Sequence, residues 1–229
     1  MRLAGEISGL ANDRKAYRLA LDSDGAEANT LLSAFTAVDD QVFGPLFVDT
    51  DLTGMTADPR LETLAGRVAF AVRPGKIEDV SILRLTIEKL GTFGEAALLA
   101  AALDKPSRAK KIERYYGDEF EELAGTFEII NGWATTNDLR IVYDGYRVDL
   151  DGRMRLRDRR LKFTGTLTLE REVDDALASA SDAEGDPEAA DAKPPRVIEL
   201  AEVKGTLDDP KVSLSSKTVR SIVGSQTRK

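Results

Sequence analysis

The chain has 229 residues, 40 of them acidic and 32 basic, giving a net charge of −8 at pH 7. That length is enough for one large domain or two small ones with a real core, and the acid surplus argues against nucleic acid or an anionic membrane as the main partner. Cysteine and histidine are both absent, which excludes disulfides, thiolate catalysis, Cys/His zinc sites and histidine acid–base chemistry.

Met1 to Gly5 leads into no apolar run, so no secretory signal is read there. The most apolar stretch, Ala96 to Leu103, has eight residues, where a spanning helix needs about 20. Residues 25–38 are rich in helix formers, with Leu31, Leu32 and Phe35 at helical spacing, and predict a helix. Phe43 to Leu52 alternates as a strand, Asp58-Pro59 marks a turn, and Gly66 to Arg73 gives a second strand with Val68, Phe70 and Val72 in period two. From Asp79 the period lengthens, with Leu83, Ile87 and Leu90 on one helical face; helical segments are expected over 79–122, interrupted at Gly91 and Gly94.

After Leu123 the chain reads as an antiparallel meander over 123–170, resumed at 197–214. Phe127, Ile129, Asn131 and Trp133 form one alternating set, followed by Leu139, Ile141 and Tyr143. Tyr146, Val148, Leu150, Met154 and Leu156 come next, then Leu161, Phe163, Leu167 and Leu169. Arginines, aspartates, lysine and threonines fill the alternate positions, so one face is apolar and the other wet. Asn131-Gly132, Asp144-Gly145 and Arg157 to Arg160 supply the connections. Residues 171–196 form an acidic, alanine-rich loop expected to be disordered; Glu170 to Arg196 alone holds nine acids and three bases. A basic tail follows at 217–229, so 1–216 is read as one domain, α+β in class, with a curved antiparallel sheet, a few flanking helices and one long acidic loop.

Catalytic and metal chemistry find no footing in these residues. Asp39-Asp40, Asp174-Asp175 and Asp208-Asp209 are adjacent carboxylates, which point to opposite faces in a strand. Asp149 to Gly152 and Asp22 to Gly25 look like the start of a calcium loop but lack its further ligands. Gly5 to Gly9 has no lysine partner for phosphate, and the arginines of Arg153 to Arg160, on the wet face and tip of a hairpin that also carries Asp149, Asp151 and Asp158, read as solubility ahead of anion binding. No enzyme activity, cofactor or metal is expected. The apolar face remains, to be covered by helices as an ordinary core or left open for an apolar ligand.

Three stretches in order, "FEELAGTFEIINGWATTNDLRI", "YRVDLDGRMRLRDRRLKFTGTLTL" and "VKGTLDDPKVSL", resemble the C-terminal region of AsmA-like proteins. The matching positions are Leu123, Gly125, Phe127, Ile129, Asn131 and Gly132, then Thr136, Asp138 and Leu139, then Gly152, Leu156 and Leu161, and finally Gly205, Thr206, Leu207 and Pro210. Leu64 to Ile77 adds an upstream unit, so the resemblance runs from Phe43 to Leu214. Trp133 stands where that strand pattern often has an aliphatic residue.

The resemblance implies a β-rich groove related to TamB and other bridge-like envelope proteins. Such proteins are anchored in the inner membrane of Gram-negative bacteria, extend through the periplasm, and take part in phospholipid transport and outer-membrane biogenesis. It also implies a C-terminal segment of a longer, periplasmic, N-terminally anchored parent, or a truncated relative of such proteins, since no signal or anchor is read in this chain. The expected partners are phospholipid acyl chains, envelope proteins and the N-terminal part of that parent, without nucleic acid. Phe127, Ile129, Leu139, Ile141, Val148, Leu150, Leu161, Phe163 and Leu167 are the candidate lipid-facing residues. Asn131, Gly132, Gly205, Thr206 and Pro210 are the motif turns. The competing expectation is a closed interaction module with no lipid ligand.

Overall fold

In a computed structural model, residues 2–8, 15–30, 42–78, 81, 83–84, 86, 114–178, 195–207 and 209–214 are described. Ten strands form one antiparallel sheet: β1 (Arg2–Ser8), β2 (Ala16–Glu27), β4 (Pro45–Met55), β5 (Ala65–Val72), β8 (Glu122–Ile130), β9 (Trp133–Tyr143), β10 (Tyr146–Arg155), β11 (Arg160–Leu169), β12 (Arg196–Thr206) and β13 (Asp209–Leu214). Their order in the sheet is their order in the chain, with β1 and β13 at the open edges. Three short strands, β3 (Val42–Phe43), β6 (Gly75–Ile77) and β7 (Glu119–Phe120), make a second sheet beside the β4, β5 and β8 ends. The protein is mostly antiparallel β, an open sheet with short helical pieces.

Period-two patterning puts one apolar face on this sheet. The registers align Leu46, Val72, Leu123 and Ile141 across four strands, and Ile141, Val148, Leu167 and Ile198 across the next four. Leu83, Tyr115 and Phe120 join this core, as does Val173 of the one described helix, α1 (Arg171–Ala178). Tyr143 and Tyr146 stack at 4.5 Å within it, and Phe120 meets Tyr143 edge-on at 6.4 Å. Burial raises both tyrosine pKa values; Asp118 adds to the effect on Tyr143, and Tyr143 to that on Tyr146.

Several sequence expectations are corrected. The helix expected over 25–38 begins as strand, because β2 runs to Glu27 and helical geometry appears only at 28–30; residues 31–41 lie outside the described set. Within 79–122, Leu83, Arg84 and Thr86 are helical, but Glu119–Phe120 and Glu122 are strand, and 87–113 lie outside the description. The loop expected at 171–196 opens with α1, whose first turn carries Glu172 and Asp174, where acids favour a helix N-terminus. Asp174 is buried and meets Arg196 at 2.5 Å, tying the start of that loop to the start of β12. Residues 179–194 and the tail at 217–229 are outside the described residues.

Trp133 changes face. Asn131 and Gly132 both have positive φ, 52° and 75°, as a two-residue hairpin turn of the favoured twist requires. The turn pairs Ile129 with Ala134 on the core face and Ile130 with Trp133 on the other. Trp133 therefore leaves the Phe127–Ile129 set, and its ring lies under Arg153 at 4.4 Å and Arg155 at 5.7 Å.

A line of bulges crosses the sheet. Asn137 and Asp138 of β9 oppose the single Asp151 of β10; Asp151 pairs with Thr164 of β11; Thr164 opposes Ala201 and Glu202 of β12. Each bulge bends its strand and sharpens its twist. Asp138 fills the backbone gap this leaves, accepting from Thr126 N–H at 2.7 Å and Thr136 Oγ at 2.9 Å. The Thr-x-Asp element of the resemblance is thus a backbone patch.

Desolvation works against the charged Asp138, but these donors outweigh it and hold the carboxyl below the usual aspartate range. A depressed carboxylate contributes stability above its unfolded pKa of about 4 and loses it as pH falls through the folded value. Asp138→Ala is expected to lower stability by about 1–2 kcal/mol at neutral pH. Urea denaturation below pH 3 should show a smaller gap between the two proteins.

Candidate functional site: the two faces of the sheet

The registers place all nine lipid-facing candidates on the same face. Along that face, packing changes. Ile129, Ile141, Val148, Leu150, Phe163 and Leu167 are buried, the last at 0% exposure; Phe127, Leu139 and Leu161 are half-buried. Toward β2, β4 and β5 the same face carries Tyr17, Leu19, Leu52, Val68 and Phe70, all half-buried, while Leu21 and Thr50 are buried. Phe70 stacks on Phe127 at 5.9 Å between ring centres. A row from Leu46 to Ile198 is buried right across the face; beside it the β2–β8 end is partly open, while at the β9–β13 end Leu139 and Leu161 stay half-buried among buried neighbours.

The nine candidates all came from the meander, so the open end was under-represented. Its signal was present: Tyr17, Leu19 and Leu21 alternate with Ala16, Arg18 and Ala20. Of the residues expected as motif turns, Gly205 and Thr206 end β12 and Pro210 lies in β13. Gly205 has φ +97°, and a Cβ there would meet the Asp209 carbonyl oxygen at 2.3 Å. Thr206 pairs with Asp209, and Pro210 with Gly205, closing the β12–β13 hairpin. Neighbouring hairpin tips are hydrogen-bonded, Leu156 N–H to the Gly132 carbonyl at 2.9 Å and Leu207 N–H to the Arg159 carbonyl at 3.1 Å.

The opposite face holds a groove of about 940 Å³ across β2, β4, β5, β8, β9 and β10. Ala69, Ala71 and Ala124 give it a shallow floor because none carries a side chain beyond Cβ; Phe47 stands beside them with the Arg73 guanidinium 5.4 Å from its ring. Asp22, Asp49, Glu122, Asp149 and Asp151 supply carboxylates, and Arg140 is the base among the lining residues. Arg140 and Arg147 each meet Asp149 at 2.7 Å. Partial burial opposes ionisation of Asp149, and those two hydrogen-bonded guanidiniums overcome it, so its pKa is lowered.

Asp149 is thus held between two guanidiniums on the groove wall. Among the described residues no group of three or more acidic side chains is arranged to hold a metal ion, and no helix is long and apolar enough to cross a membrane. Comparison with known protein families, with curated proteins and with solved structures finds no match.

Proposed function

We propose that this chain is a non-enzymatic, AsmA-like C-terminal domain of a cell-envelope protein, acting in phospholipid transport between membranes and outer-membrane biogenesis. In this reading it works in the periplasm, attached to the inner membrane through the N-terminal anchor of a longer parent. The fold is then a curved α+β meander, with Leu83, Tyr115, Phe120 and α1 covering part of one face. The observation that carries the reading is the single apolar face running through ten strands, with a buried row across it and a cluster of half-buried apolar residues on β2, β4, β5 and β8.

An acyl chain laid against Leu19, Leu52, Val68, Phe70 and Phe127 would leave water without any polar recognition. Each methylene so buried contributes about 0.8 kcal/mol, so a short strip suffices to hold a chain. A second reading, a closed protein-interaction module of the envelope, is favoured by the complete burial of Val148 and Leu167.

The two readings part at the half-buried residues. Native mass spectrometry of the purified protein should find bound phospholipid, and Val68→Asp should abolish it while far-ultraviolet circular dichroism stays that of the wild type. A protein that carries no lipid and takes up no labelled phospholipid would sink the lipid reading in favour of the closed module. Ile141 and Phe163 are poor probes, because at 4% and 5% exposure a charge there attacks the core itself.

A further inference from the structure

The register of β10 to β13 creates a feature that the linear sequence hides. On the face opposite the core, Arg153 lies directly across from Lys162, Lys162 from Lys204, and Lys204 from Lys211. Four bases from four consecutive strands stand in one row, spaced by about 4.8 Å per strand. Like charges placed directly opposite are destabilising, so such a row is unfavourable for folding alone. Lys204 and Lys211 have same-strand partners, Glu202 at 3.0 Å and Asp209 at 3.4 Å, but these are exposed surface pairs of little worth. Arg153 and Lys162 have no carboxylate partner among the described residues.

An apolar pair adjoins the row. Trp133 lies beneath Arg153 and Arg155, and Ile130, its cross-strand partner, is 61% exposed. Cations beside an indole and a bare aliphatic side chain match the headgroup region of a bilayer, where aromatic rings sit at the boundary and bases meet anionic lipid. We propose that this patch docks the domain onto the surface of an anionic phospholipid bilayer. The overall charge of −8 argues against an anionic membrane for the chain as a whole but acts only weakly on this patch, because exposed charges beyond about 10 Å are screened at ordinary salt. A nucleic acid fits less well: the row is only about 14 Å long, it offers an aliphatic side chain where stacking is needed, and Asp151 and the acidic groove adjoin it on the same face.

The proposal uses the opposite face from the acyl-chain reading and stands without it. Flotation with phosphatidylcholine vesicles, with and without phosphatidylglycerol, is the test. The protein should float with the anionic vesicles at low salt, remain unbound with the zwitterionic ones, and be released at about 1 M salt, where screening acts within about 3 Å. Each base removed near a membrane surface should weaken binding about fivefold, so Lys162→Gln with Lys204→Gln should weaken it roughly 25-fold.

Both lysines are exposed, and a thermal midpoint at or above that of the wild type certifies the fold of that variant. Lys162→Arg should bind as the wild type does, and Ile130→Ser should bind several-fold more weakly. Equal flotation with both vesicle types, an unaffected double variant, or binding to an oligonucleotide in place of vesicles overturns the proposal. Labelled phospholipid uptake that survives in the double variant separates failure here from failure of the apolar-face reading.

Discussion

Leu167→Ala is expected to lower the unfolding free energy by about 3–4 kcal/mol, and Leu52→Ala by only about 1–2 kcal/mol. Both are leucines on the same face of the same sheet, so the deleted atoms are identical. Leu167 is 0% exposed in the core with Val148 and Ile198 beside it in register, and its loss leaves a cavity that rigid strands cannot close. Leu52 is half-buried and its register partner on β5 is Gly66, so part of its surface is already unpacked. Urea denaturation followed by Trp133 fluorescence gives both values. Equal costs would mean that the β2–β5 end is packed as tightly as the β9–β13 end, which would remove the basis for an open strip.

Gly152→Ala and Gly165→Ala are each expected to cost about 3 kcal/mol, lowering the thermal midpoint by about 6–12 °C for a chain of this size. A Cβ on Gly165 would stand 2.1 Å from the Asp149 carbonyl oxygen; on Gly152 it would stand 2.3 Å from that of Lys162 and 2.6 Å from Phe163 Cα. Gly152 also has φ +155°, which few residues with a side chain adopt. The obstruction is backbone, so no rotamer relieves it and the strands must separate. Gly117→Ala is the matched control: its nearest atom would be 4.0 Å away, and its midpoint should be near that of the wild type. A small shift at both positions would show that the line of bulges is soft.

The meander was legible because β8 to β11 alternate cleanly and their turns carry Asn-Gly and Asp-Gly. Elsewhere local composition misled. The helix expected over 25–38 took in residues 25–27, which close the long strand β2. Cross-strand pairing to β4 overrides their weak propensities there. Residues 171–178 look disordered by charge, but one buried residue, Val173, and the Asp174–Arg196 pair are enough to fix a turn or two of helix.

Trp133 was placed with Ile129 by counting through a turn as if it were strand, and two residues of reversed φ invert that count. The basic row was unreadable for a different reason. Arg153, Lys162, Lys204 and Lys211 are spread over about sixty residues of sequence, and only three hairpin registers bring them together. Likewise the groove arises from alanines whose significance depends on which strands adjoin.

Because each long strand pairs only with its predecessor and successor in the chain, the sheet behaves as a linear array. Its cohesion is a sum of nearest-neighbour terms rather than the property of one closed shell. Such an array has no fixed number of members: a hairpin added at β1 or β13 would extend it without disturbing any existing register. The same arrangement loosens from its ends inward. Amide exchange should be fastest in β1, where Ile7 is 59% exposed, and slowest near β10 and β11, whose central residues are buried on the core side. Size, in this architecture, is an evolutionary variable, and order is graded along the sheet.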